Sequence, residues 1–257
     1  MAKQANIPYH TALVTGGAAR IGKAIVLKLA DMGIAVAIHH RSSEQAASAL
    51  ANEIRENGGT AVTIEGDLAE SNNYASIVNK AATSLGSPID VLVNNASVFE
   101  DDTLESLSVE AWNKHQNVNL RAPIFLAKEM VSALESGQKA TVINMIDQRV
   151  LKLNPQFFSY TTSKAGLWTV TRTMAQHFAP NVRVNAIGPG PTLGNEFQSE
   201  NDFMNEAASV PLGQGPSLTE ITTAIEFLLA TPSMTGQMLT LDGGQHLAWQ
   251  TQDIVVE

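Results

Sequence analysis

Short apolar runs of strand type alternate with longer segments of helical period along this chain, and that alternation leaves few folds open. Strand-like runs fall at 12–15, 35–39, 61–65, 91–94, 141–145, 183–187 and 238–241. Helical periodicity occupies 21–32, 43–57, 73–85, 109–135, 160–178 and 219–230. A strand that returns to a parallel neighbour must do so through a crossover, usually a helix, so the pattern predicts a doubly wound parallel sheet. The expected fold class is α/β: a single Rossmann-type domain over 1–257, with about seven strands and helices on both faces. No linker, low-complexity tract or repeat of fixed period interrupts it.

One long segment, 189–216, lacks a clear period. It opens on Pro189 and Pro191, carries Leu193, Phe197, Phe203 and Met204 among polar residues, and ends near Gly213 and Gly215. A loop of that length in a compact domain is usually functional. Since it follows a strand at the carboxyl edge of the sheet, where ligands bind in such folds, it is expected to be a substrate lid rather than a surface excursion.

Composition narrows the partners. With 257 residues, 44% hydrophobic and 16% charged, the chain can bury a sizeable core. No apolar run reaches the roughly 18 residues of a membrane span, and residues 1–10 are polar, so a cytoplasmic location is expected. The chain has no cysteine, which excludes disulfides and thiolate metal sites. His10, His115, His177 and His246 form no i, i+4 pair and no cluster with carboxylates, so no metal is expected. A formal charge of −9 argues against a nucleic-acid surface. The acidic stretch 196–206 reads as a solvated face.

A nucleotide site is expected after the first strand. Thr15-Gly16-Gly17-Ala18-Ala19-Arg20-Ile21-Gly22 opens a helix there, and glycine lets backbone N–H groups approach a pyrophosphate. The second strand ends in Ile38-His39-His40-Arg41-Ser42. An acidic residue at that point would hold a ribose 2′-hydroxyl; instead Arg41, Ser42, Arg20 and His40 can donate to a 2′-phosphate, which predicts NADPH.

Acid/base residues stand further on. Tyr160 and Lys164, four residues apart, share one helix face about 6 Å from each other. An ammonium beside a phenol is expected to lower its pKa and make Tyr160 a proton donor. Asp147, thirteen residues before Tyr160, adds a carboxylate to the set. A serine hydroxyl can donate to a ketone oxygen; an ionised aspartate only accepts, and suits a substrate that presents N–H groups. Phe99 could stack on such a flat heterocycle for roughly 0.5–1.5 kcal/mol beyond area burial.

Over its whole length the chain resembles the short-chain dehydrogenase/reductase superfamily. The matching elements are Thr-Gly-x-x-x-Arg-x-Gly at 15–22, Asp67-Leu68, Asn94-Asn95-Ala96, Asn119 in Asn-Val-Asn-Leu, Tyr160-x-x-x-Lys164, Pro189-Gly190 and Asp242-Gly243-Gly244. Within it the chain is most similar to the pteridine reductases and the bacterial dihydromonapterin reductases. That likeness rests on Arg20, on His40-Arg41-Ser42, on Asn95-Ala96-Ser97-Val98-Phe99, on Asn144-Met145-Ile146-Asp147 and on the tail 241–247.

The resemblance implies a cofactor site of Gly16, Arg20, Ile21, Gly22, His40, Arg41, Ser42, Asp67, Leu68, Asn95, Ala96, Ser97, Tyr160, Lys164, Pro189 and Gly190. Asp67 would contact the adenine, Asn95 and Ala96 would line the cofactor, and Asn119 would hold a water that relays protons to Lys164. Catalysis would fall to Asn119, Asp147, Tyr160 and Lys164, and substrate contact to Ser97, Phe99, Asp147 and Tyr160. The expected activity is NADPH-dependent reduction of a dihydropterin C=N bond in a homotetramer. A carbonyl reductase of 3-oxoacyl thioesters and an NADPH-binding regulator without turnover are the alternatives. An intact Asn119, Tyr160 and Lys164 speak against the regulator.

Overall fold

A computed structural model describes residues 7–194 and 198–249. The ends of the domain expected over 1–257, and Glu196 and Phe197 of the expected acidic stretch and lid, lie outside the described residues.

Seven parallel strands form one sheet in the order β3-β2-β1-β4-β5-β6-β7. They are β1 (Thr11–Val14), β2 (Ala35–His40), β3 (Ala61–Glu65), β4 (Val91–Asn94), β5 (Ala140–Met145), β6 (Val182–Pro189) and β7 (Met238–Leu241). The helices are α1 (Arg20–Asp31), α2 (Glu44–Glu56), α3 (Tyr74–Leu85), α4 (Val109–His115), α5 (Ala122–Ser132), α6 (Phe158–Phe178), α7 (Glu200–Ala208) and α8 (Leu218–Ala230). Strand order reverses between β1 and β4, so the crevice outside their carboxyl ends is where this fold takes a ligand.

Both faces of the sheet are covered, as the continuous apolar strands require. Ala12, Val14, Val36, Ile38, Val91, Val93 and Ile143 pack with residues of α1, α2 and α8. Their neighbours Leu13, Ala37, Leu92 and Val142 point the other way, into a second cluster with α3, α5 and the end of α6. Each fully buried aliphatic side chain contributes roughly 1.5–3 kcal/mol, so the two clusters make the sheet a rigid base for the loops at its edge.

Two sequence expectations change. The single helix expected over 109–135 is two helices joined by a π turn at Gln116–Arg121, and it ends at Ser132. The segment 189–216 contains α7, capped by Ser199 Oγ accepting from Asp202 N. None of its residues is buried, so no apolar stripe marks it in the sequence.

A polar chain also locks α6 to the sheet. Asn94 Nδ2 donates to Asn144 Oδ1 at 2.8 Å, and Asn144 Nδ2 donates to Thr171 Oγ1 at 2.8 Å. All three side chains are buried, and the two bonds help fix where the helix bearing Tyr160 lies, although Asn94 Oδ1 has no partner among the described residues.

Candidate active site

A cleft of about 1270 Å³ opens along the carboxyl edge of the sheet. That exceeds the roughly 300–1,000 Å³ of an ordinary small-ligand pocket and leaves room for a dinucleotide together with a substrate. Its walls include Gly16, Arg20, Ile21, Gly22, Arg41, Asn95, Ala96, Ser97, Phe99, Asp147, Tyr160, Lys164, Pro189 and Gly190, so most of the expected residues come together. Asp202, Phe203 and Glu206 of α7 also line it.

The glycine loop is built for close approach. Gly16 has φ +60°, a left-handed conformation that glycine adopts without cost. A Cβ on Gly22 would meet the Gly16 carbonyl oxygen at 2.1 Å, so only glycine lets α1 start this near the loop. Asn95 Nδ2 donates to Thr15 O at 2.9 Å and Gly16 O at 3.1 Å, while Thr15 Oγ1 accepts from Asn95 N and Ala96 N. The loops after β1 and β4 are thereby tied at the switch point.

His39, which sequence reasoning passed over in favour of His40, braces the same loop. Its Nδ1 accepts from Gly16 N at 3.3 Å, and its Nε2 lies 3.0 Å from Gly66 O. Burial lowers its pKa to about 4, so the ring is neutral, with its proton on Nε2. Strand alternation was the available signal: one of the two histidines had to face the glycine loop.

Several expected residues stand back from the cleft. His40 is buried beside β3, and Ser42 is exposed before α2. Asp67 Oδ1 accepts from Ala69 N at 2.8 Å and caps its own turn; Leu68 is buried, its carbonyl accepting from Tyr74 OH. Neither residue lines the cleft.

Asn119 is fully buried. Its side chain accepts from Val98 N at 2.8 Å and donates to Val98 O at 2.9 Å and Ser163 Oγ at 3.1 Å. With its amide so occupied, the side chain braces the loop before Phe99. Arg20, with φ +52°, sends its guanidinium to the carbonyls of Gly194 at 2.9 Å and Leu193 at 3.3 Å, linking the glycine loop to the segment after β6.

At the reacting end, Tyr160 OH donates to Asp147 Oδ2 at 2.8 Å. Asp147 Oδ1 accepts from Arg149 N at 2.8 Å, which fixes the carboxylate by capping the short turn Gln148–Val150. Burial raises the Asp147 pKa, against the bonds from Arg149 N and Tyr160 that favour the anion.

Burial also raises the Tyr160 pKa well above its ordinary value, and the Asp147 carboxylate adds to the rise. The expectation that Lys164 lowers it is therefore corrected. Lys164 Nζ donates to Met145 O at 2.8 Å and lies 5.7 Å from the Tyr160 ring centre, whereas Asp147 is the phenol's direct partner. Burial brings Lys164 down to about 8, which still leaves it charged at neutral pH. The phenol is thus held as a protonated donor.

Phe99 meets Tyr160 edge-on at 4.7 Å, and one of its faces is stacked on Phe157 at 4.4 Å. A flat substrate therefore has only the opposite face to use. Phe157 sits at φ +53°, and the Arg149 guanidinium lies 4.8 Å over its ring. Sequence reasoning missed both residues; the Phe157-Phe158 pair just before Tyr160 was the one signal available.

No group of three or more His, Asp or Glu among the described residues could hold a metal. No helix among them is long and apolar enough to cross a membrane.

Comparison with known proteins identifies the family. The family model for short chain dehydrogenase matches residues 10–205. The 3-oxoacyl-(acyl-carrier-protein) reductase of Synechocystis is 33% identical over 240 residues, which cover 91% of this chain and 96% of that protein. The crystal structure of FolM alternative dihydrofolate reductase 1 from Brucella canis complexed with NADP is 47% identical, with a TM-score of 0.93 over 98% of this chain and 99% of that one. Its counterpart from Brucella suis, also in complex with NADP, is 47% identical with a TM-score of 0.94 over 97% and 100%.

Proposed function

The chain belongs to the short-chain dehydrogenase family, and on that premise we propose that it is an NADPH-dependent reductase of a dihydropterin C=N bond, of the pteridine or dihydromonapterin type. The observation that carries the proposal is the carboxylate of Asp147 in direct hydrogen bond with Tyr160, where a ketone reductase needs a hydroxyl donor. The two Brucella proteins, dihydrofolate reductases by name and crystallised with NADP, support it.

The cleft fits the cofactor. Gly16 and Gly22 open the pyrophosphate end, Arg41 and Arg20 supply cations, and no carboxylate stands between Ile38 and Ser42 to repel a 2′-phosphate. Asn95, Ala96, Ser97, Pro189, Gly190 and Lys164 would flank the nicotinamide half. Bound NADPH supplies the hydride that reduces the substrate carbon.

Asp147 accepts from the substrate's N–H groups and orients the heterocycle. Phe99 covers one face of the ring with the side that Phe157 leaves open. Tyr160 gives its phenolic proton to the ring nitrogen as the adjacent carbon becomes saturated, and Lys164, held by Met145 O, would bind the cofactor ribose. The domain over 1–257 would work as a cytoplasmic homotetramer.

Arg41→Ala should weaken NADPH far more than NADH, since each charge-assisted contact is worth roughly 1.5–3 kcal/mol. Dissociation constants for both cofactors check this, and an equal loss for the two would contradict it. A second reading, reduction of a 3-oxoacyl thioester, is favoured by relatives such as the Synechocystis enzyme. NADPH oxidation by the wild-type protein against dihydrobiopterin, dihydromonapterin, dihydrofolate and acetoacetyl thioester separates the two. The proposal expects turnover of a dihydropterin in preference to the thioester.

A further inference from the structure

Beside Tyr160, three polar side chains that the acid/base chemistry does not use are buried together. Asp102, His115 and Ser159 are 5%, 0% and 0% exposed. Ser159 Oγ lies 2.7 Å from His115 Nδ1 and donates to Asp102 Oδ2, while Asp102 Oδ1 accepts from Ser159 N at 3.0 Å. On its far side, His115 Nε2 accepts from Glu100 N at 3.2 Å. A ring nitrogen that accepts carries no proton, so the proton of His115 sits on Nδ1, facing Ser159 Oγ and the Ala111 carbonyl. Every direction is then set: His115 Nδ1 donates to Ser159 Oγ, and Ser159 Oγ donates to Asp102.

Each end of this network lands next to a residue of the reacting site. Ser159 precedes Tyr160 at the start of α6. Glu100 follows Phe99, and Asp102 also accepts, through its carbonyl, from Phe158 N at 3.2 Å. His115 stands where α4 passes into the π turn that carries Asn119, and its ring meets Tyr160 edge-on at 6.2 Å.

We propose that His115, in its neutral form with the proton on Nδ1, is a positioning residue that sets Tyr160 and Phe99 at their working separation. The proposal rests on both belonging to the reacting site. Burying three polar groups is costly unless every one is satisfied, and an apolar cluster would hold the two segments together without that cost. What the network adds is direction. It holds the Phe99 loop by one nitrogen and the Tyr160 helix by the other.

The two nitrogens can be tested apart. His115→Asn places an amide at the height of Nδ1, keeping the bond to Ser159 and losing Glu100. His115→Gln reaches the height of Nε2, keeping Glu100 and losing Ser159. The Asn variant should raise KM for the substrate about 10-fold with kcat near wild type, and the Gln variant should lower kcat about 10-fold with KM near wild type, as small misplacements of a reacting group do. Ser159→Ala, which removes one oxygen, should follow the Gln variant and decides the matter if the histidine variants do not fold. NADPH affinity should stay within about twofold in all three, because none of these residues lines the cleft. Parallel losses in kcat, KM, NADPH affinity and Tm, or no loss at all, would overturn the proposal. Each variant is measured on a dihydropterin and on a 3-oxoacyl thioester. A wild type active on the thioester alone contradicts the pterin reading, while the split between kcat and KM, read on the thioester, still decides the role of His115.

Discussion

Tyr160→Phe is expected to lose turnover on the order of 10²-fold or more while NADPH binding survives. The ring remains, so the edge contacts with Phe99 and His115 are kept. Only the transferable proton goes, together with the bond to Asp147 Oδ2. Removing that donor leaves a buried carboxylate less well satisfied, which should push the Asp147 pKa further up and give no compensating acid at the right place. Stopped-flow or steady-state NADPH oxidation measures the loss, and cofactor fluorescence titration measures the binding. A variant that turns over at a near wild-type rate would show that the proton comes from elsewhere.

How much of this was legible beforehand follows from the range of each interaction. All seven strands stand within two residues of their expected positions, because a parallel sheet covered on both faces demands continuous apolar runs that stand out in the sequence. Asp147, Tyr160 and Lys164 were legible because two of them share a helix face and the third follows the adjacent strand. The π turn at Gln116–Arg121 was not, since one widened turn barely disturbs a 3.6-residue period. Helix α7 escaped because it buries nothing.

The pKa of Tyr160 was misjudged for a different reason. Helical spacing places Lys164 near the phenol but cannot say that Met145 O takes its ammonium, or that Asp147 bonds the hydroxyl directly. The joining of Asp102 to Ser159, and of His39 to Gly16, spans 57 and 23 residues, and no local pattern encodes such pairings.

Asp147→Ser is expected to depress dihydropterin reduction by roughly 10²–10⁴, the usual contribution of a positioned acid/base group. The same change should tolerate or improve reduction of a simple ketone, because the new hydroxyl can donate to the substrate oxygen that the carboxylate would repel. Serine is shorter, yet it can still cap the turn at Gln148–Val150 by accepting from Arg149 N, so the backbone that presents residue 147 should persist. A shared loss on both substrates would instead mark Asp147 as structural.

The most direct measurement is therefore kcat/KM of wild type and Asp147→Ser, each on a dihydropterin and on a 3-oxoacyl thioester with NADPH. The predicted result is a crossover: wild type prefers the dihydropterin, and the serine variant shifts its preference toward the thioester. A wild type that prefers the thioester, or a variant that keeps the full dihydropterin rate, would contradict the assignment of Asp147 to an N–H-bearing substrate.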